Sequence, residues 1–205
     1  MALYLRIHPD NPQIRLISQA VKIVNEGGVI VYPTDSSYAL GCHLGDKRAL
    51  DRIRAIRQVD AKHNFTLVCR DLAQVSQFTK FNNHVHRLIK SLTPGAYTFI
   101  LNATREVPRR LMHPKRKSIG IRIPDNPIVR DLLEELAEPL VSATLILPGE
   151  EEALTDPFDI QERLENQVDL IIDSGYLSVE PTTIIDASGD VPEIARHGKG
   201  EVPTL

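Results

Sequence analysis

Residues 28–41 read GVIVYPTDSSYALG. Val29, Ile30, Val31 and Tyr32 are β-branched or aromatic and carry no helical period, so they predict a strand buried on both faces. Pro33 ends that ladder, and Thr34, Asp35, Ser36 and Ser37 follow at once. Three hydroxyls, each able to donate and to accept, beside one carboxylate suit a small polar ligand or a phosphate. A polar turn between two strands is the plainer reading of the same residues. Recurrence decides for the first. Hydroxyl residues adjoin apolar strand candidates again at Ser118, Thr144 and Thr182, which points to one pocket lined by hydroxyl and Arg side chains.

Outward from this stretch, three helices are announced by one device, a capping Asn or Asp before a Pro at the first helical position: Asn11 with Pro12, Asn126 with Pro127, Asp156 with Pro157. The first is expected to bury Ile14, Ile17, Val21 and Val24 and to stop at Gly27 and Gly28. The second uses Ile128, Leu132, Leu133 and Leu136, and the third Phe158, Ile160 and Leu164. Further helices are predicted over 47–58, 71–78 and 82–92, and strands over 65–69, 97–101, 118–123, 140–147, 168–173 and 182–186. Strands near Tyr97 and Ser118 have too little helix between them for a right-handed crossover, so the expected fold is α/β (α+β), a large mixed parallel and antiparallel sheet flanked by helices. Neither linker composition nor repeats divide residues 1–205, which read as a single domain.

Hydrophobic residues make up 42% of the 205, enough for one sizeable core. The N-terminus lacks a signal-like apolar stretch and no run approaches a membrane span, so a cytoplasmic protein without membrane partners is expected. Cys42 and Cys69 have no metal-like spacing and read as small buried hydrophobes. The net charge of -3 conceals an asymmetry: residues 1–122 hold 20 Lys and Arg against 8 Asp and Glu, residues 123–205 hold 4 against 19. If the fold kept these segments apart, one face would attract nucleotides or nucleic acid; interleaving would cancel much of that field.

The segment 105–122 carries Arg105, Arg109, Arg110, Lys115, Arg116, Lys117 and Arg122. The first six read as phosphate contacts or as a solvated loop. Arg122 differs, because it stands inside the apolar alternation SIGIRIP, where a guanidinium needs an anionic partner. Arg54 and Arg57 share one side of a last helical turn. Walker-type loops, nicotinamide fingerprints, nucleophile elbows and metal-spaced His clusters do not occur. The residues therefore predict no catalytic side chain and no metal ligands, but positioning and charge neutralisation, as in adenylate or phosphoryl transfer.

Five ordered motifs, YPTDSSYALG, TPGAYTFIL from Thr93, SIGIRIPDNP from Ser118, EPLVSATLILPG from Glu138 and PTTIID from Pro181, resemble the YrdC/YciO superfamily of L-threonylcarbamoyladenylate synthases, most closely its YciO branch. The resemblance implies a twisted sheet with a wide positively charged cleft. Active relatives combine threonine, bicarbonate and ATP, with Mg2+, into threonylcarbamoyl-AMP and pyrophosphate for tRNA modification, and members of the superfamily bind double-stranded RNA. It implies that Ser36, Arg122, Thr144 and Thr182 face the threonine and that Arg57, Asn64, Ser118 and Arg196 face the nucleotide, while the basic segment 105–117 and the helix over 47–57 are where structured RNA would dock. A non-catalytic double-stranded RNA or tRNA-binding module is the alternative. The departures matter too: the family's Lys-x-Arg is here Arg57, Gln58, Val59; its Ser-x-Asn is Thr144, Leu145, Ile146; a threonine-holding His is Cys69. Hydrogen bonds to charged groups contribute about 1.5 to 3 kcal/mol each, so two lost contacts imply roughly two to four decades in rate. A slow or redirected enzyme is the expectation, with part of the nucleotide pocket filled by Val59 and Ile146.

Overall fold

Among the residues described by the computed structural model, 1–60 and 62–205, eleven strands join in one sheet. They are β1 (Leu3–Arg6), β2 (Ile30–Tyr32), β3 (Ala39–His43), β4 (Thr66–Val68), β5 (Thr79–Lys80), β6 (Tyr97–Ala103), β7 (Ser118–Arg122), β8 (Leu140–Thr144), β9 (Leu170–Asp173), β10 (Thr183–Asp186) and β11 (Glu193–Arg196). The helices are α1 (Ile14–Asn25), α2 (Lys47–Arg57), α3 (Leu72–Phe78), α4 (Asn83–Leu92), α5 (Pro127–Leu136) and α6 (Pro157–Leu164). Across the sheet the order is β1-β9-β2-β3-β8-β4-β7-β6-β10-β11, with β5 on β6. The pairs β1·β9, β9·β2, β4·β7 and β6·β10 are parallel and the others antiparallel, the mixed sheet that the short spacings predict.

Alternation along the strands sorts side chains between two cores. On one face Val31, Leu40, Leu67, Phe99, Ile121, Val141 and Ile171 meet α2, α3, α4 and α6. On the other, Ile30, Tyr32, Val68, Leu140 and Leu170 meet α1 and α5, which cover only part of the sheet. Both cysteines are buried, and burial pushes the Cys42 thiol up to about 12 and raises that of Cys69, so they serve as small apolar residues. Gly27, at φ 87, ends α1 in the left-handed region where a side chain would be strained, and the Gly28 N–H returns to the Ile23 carbonyl.

Several expectations are corrected. α1 starts at Ile14 behind Gln13, not at Pro12, because the His8 Nδ1 accepts the Asp10 and Asn11 N–H groups and holds Asn11 in a turn before the helix. Ile14 is consequently 79% exposed and Phe158, on α6, 60%, so neither anchors its helix. The strand expected over 140–147 ends at Thr144, where the chain bends and the Leu145 N–H turns to the Tyr38 carbonyl. β1, β3, β5 and β11 escaped the periodicity reading; they are short, and β3 contains Gly41 and His43. Strands β8 to β11, from the acidic part of the chain, are interleaved with β1 to β7 from the basic part, so the sheet mixes the two charge populations. Among the described residues, no helix is long and apolar enough to cross a membrane.

Candidate functional site

Where α1 and α5 leave the sheet uncovered, its exposed face is polar. Thr66 lies in register with Gly120 and Ser142, Gly120 with Ile100, and Thr98 with Ile184, so these residues share one face. They floor a hollow of about 280 Å³. A Cβ on Gly120 would come within 3.2 Å of the Thr66 Oγ1, so glycine keeps this floor open.

Seven of the eight residues expected at a threonine or nucleotide site line this hollow: Arg57, Asn64, Ser118, Arg122, Thr144, Thr182 and Arg196. Ser36 does not line it, but its Oγ accepts a hydrogen bond from the Arg122 Nη2 at 3.1 Å. Arg122 has the anionic partner that its apolar setting demands: the same Nη2 reaches the Asp35 Oδ1 at 2.8 Å, with the two side chains 8% and 10% exposed. The other Asp35 oxygen accepts the Asp125 N–H, and the Arg122 Nε is buried with no partner among the described residues. One edge of the guanidinium is thus tied to the Thr34–Ser37 loop while a buried donor is left over.

Arg196 donates from Nε and Nη2 to the Thr182 carbonyl and again to the Thr182 hydroxyl, which bonds the Thr98 hydroxyl at 2.7 Å. Burial, and after it the Arg122 charge, lowers its pKa. Arg57 donates from Nε to the Ile146 carbonyl and from Nη1 to the His63 Nε2 at 3.0 Å. Burial, followed by the Arg57 charge, holds the His63 imidazole below its ordinary range, so it stays neutral and accepts from Arg57. Val59 and Ile146 are each half-buried. Tyr32 flanks the floor on the same face, bonding its hydroxyl to the Ser142 Oγ; burial pushes that phenol up to about 12, and it stays protonated.

The basic segment is divided. Arg105, Arg109, Lys115 and Lys117 are exposed. Arg110 instead donates to the Leu44 carbonyl, and Arg116 pairs with Asp186 at 3.3 Å while also lining the hollow. Residue reading missed Asp35 as the Arg122 partner, and it missed His63, His113, Thr98 and Ser142. Ser142 had a signal, since it stands two positions before Thr144 in a strand and so shares its face. The histidines had none, because they sit in irregular connections. Chemically, four guanidinium groups (Arg57, Arg116, Arg122, Arg196) and a floor of hydroxyls can neutralise and orient a polyanion.

A family model described as Sua5_yciO_yrdC, Telomere recombination, matches residues 22–198. Escherichia coli K12 YciO is 57% identical over 202 residues, 98% of either chain, and the E. coli YciO crystal structure superposes with a TM-score of 0.94 over 98% of both chains. Threonylcarbamoyl-AMP synthase of Vibrio vulnificus is 27% identical over 159 residues, 76% of this chain and 84% of that protein. Pyrococcus abyssi Sua5, solved as a complex with L-threonine, shares the fold at a TM-score of 0.88 and 22% identity over 96% of this chain and 58% of its own. With a family model matched over residues 22–198 and a relative 57% identical over 98% of both chains, the chain belongs to the Sua5/YciO/YrdC family.

Proposed function

We propose that the hollow binds an amino acid and a nucleotide together and joins them through an adenylate, as in the synthesis of threonylcarbamoyl-AMP from threonine, bicarbonate and ATP. The observation that carries this reading is the convergence on one sheet face of Arg122, Thr182 and Arg196 with Arg57, Asn64 and Ser118, from strands and connections far apart in the chain. In this scheme the buried Arg122 Nε and the Thr182 hydroxyl hold the amino-acid carboxylate, with Thr144 beside it, while Ser36, outside the lining, acts by fixing the Arg122 guanidinium. Arg57, Asn64, Ser118 and Arg196 hold the nucleotide. The threonine amine attacks the bicarbonate carbon and water is lost, giving a carbamate; a carbamate oxygen then attacks the α-phosphorus, the bond from that phosphorus to the oxygen bridging it to the β-phosphate breaks, and pyrophosphate leaves with its charge met by guanidinium groups. The lining carries no carboxylate among the described residues, so Mg2+ would enter held by the phosphates.

Ile146, in the lining, and Val59, outside it, stand where the family's motifs carry an Asn and an Arg, and two phosphate contacts fewer would set a rate roughly two to four decades below that of a fully equipped relative. The purified protein, at high concentration with threonine, bicarbonate and ATP, should release pyrophosphate slowly but above a control lacking threonine. Equality with that control would refute the synthase reading. A second reading, docking of double-stranded RNA or tRNA, rests on the exposed Arg105, Arg109, Lys115 and Lys117. It predicts affinity that falls steeply with salt as neutralised phosphates release counterions.

A further inference from the structure

A second opening in the sheet plays no part in the reaction proposed above. β4 and β7 are parallel neighbours, with Val68 beside Arg122, so their carboxyl ends lie together. From β4 the chain continues into α3, packed on one face; from β7 it continues into α5, packed on the other. Connections that leave two adjacent parallel strands for opposite faces open a crevice between them, and open α/β sheets take ligands at such points. Here the crevice measures about 450 Å³, within the size range of small-molecule sites.

Its lining has two parts. Leu72, Pro94, Ile123, Val129 and Leu133 make an apolar interior, and Arg70, Lys90 and Arg130 stand around the mouth. Arg70 and Arg130 each use only Nε on an adjacent carboxylate, Asp71 at 2.8 Å and Asp131 at 3.2 Å, so their Nη groups are available. Lys90 forms no ion pair among the described residues. Of the carboxylates at the mouth, Asp71 is engaged by Arg70 and the Gln74 N–H, and Asp125 is exposed. Hydrogen bonds tie the crevice to Arg122 and its partner: the Asp125 N–H donates to Asp35, and the Cys69 N–H to the Arg122 carbonyl at 2.8 Å.

We propose that this crevice is a second binding site, for a small organic anion whose apolar body rests on Leu72, Ile123 and Leu133 while its carboxylate or phosphate group is held by Lys90, Arg70 and Arg130. Apolar walls set the body, and donors confined to the mouth set the charge.

The test titrates the isotope-labelled full chain with phenylacetate, phenyl phosphate and phenethylamine, following backbone amides by NMR. At least one anion should shift Cys69, Leu72, Asp125 and Val129 saturably, its head group distinguishing carboxylate from phosphate, and the amine should not. Lys90→Glu and Arg130→Glu should each weaken the anion about tenfold, the loss of one hydrogen bond to a charged group. Arg105→Glu, whose native side chain is 97% exposed on another loop, should leave affinity unchanged. All three altered residues are exposed, and matched melting curves confirm that the variants fold. The proposal is overturned if neither anion saturates, if the amine binds equally well, or if the two reversals do no more than Arg105→Glu.

Discussion

Arg122 shows how one residue carries both stability and ligand recognition. Its pairing with Asp35 is almost wholly buried, so removing one partner strands the other in an apolar setting. Arg122→Met should cost about 3 to 5 kcal/mol in urea unfolding, and adding Asp35→Asn to it should recover part of that loss. A double variant no more stable than Arg122→Met would show the pair to be uncoupled. His63 makes a different statement. Its folded-state proton affinity lies below the ordinary value of 6.5, so as pH falls past that value the unfolded chain takes up the proton first and stability drops. Unfolding free energy should therefore be full at pH values above that point and decline below it, and His63→Asn should flatten the slope. Arg122 was legible from residues alone, since a charge inside SIGIRIP implies a buried partner. Asp35 was not, because that partner lies 87 positions away and only the bent Thr34–Ser37 loop brings it across.

Helix starts test the same distinction between local signal and tertiary context. The Asn126 Oδ1 accepts the Ile128 and Val129 N–H groups and starts α5, which with α1 covers part of the face that holds the hollow. Asn126→Ala should destabilise the protein by about 0.5 to 2 kcal/mol. Asn11 carries the same Asn-Pro signature but caps nothing, so Asn11→Ala should stay within about 0.5 kcal/mol in the same measurement. Equal losses would mean that Asn11 does support α1. Elements with a strong period or a side-chain cap, α2, α4, α5 and β7 among them, were readable for that reason. β1 and β11 were not, since four residues at a sheet edge carry too short a pattern, and β3 owes its place to β2 and β8 on either side.

At the scale of the molecule, chain order and spatial order diverge, and this is what the uneven charge distribution could not foretell. The acidic part of the sequence supplies β8, β9, β10 and β11, which enter the sheet between or beside strands of the basic part. The four guanidinium groups of the hollow come from side chains gathered by this weave, and the net charge of either half says little about them. Removing residues 181–205 deletes β10 and β11 with Thr182 and Arg196, and bares the β6 edge. Such a fragment should elute from size exclusion as aggregate and lack a cooperative melt, because a long unpaired edge recruits other chains. A monomeric, cooperatively melting fragment would show that the last two strands are dispensable. The same weave has a kinetic meaning during synthesis on the ribosome. β1 is made long before its partner β9, and Thr182 and Arg196 join the hollow only after β10 and β11 have been translated. Nascent protein must therefore wait with β1 unmatched, and no binding-competent molecule exists until the ribosome has passed Arg196.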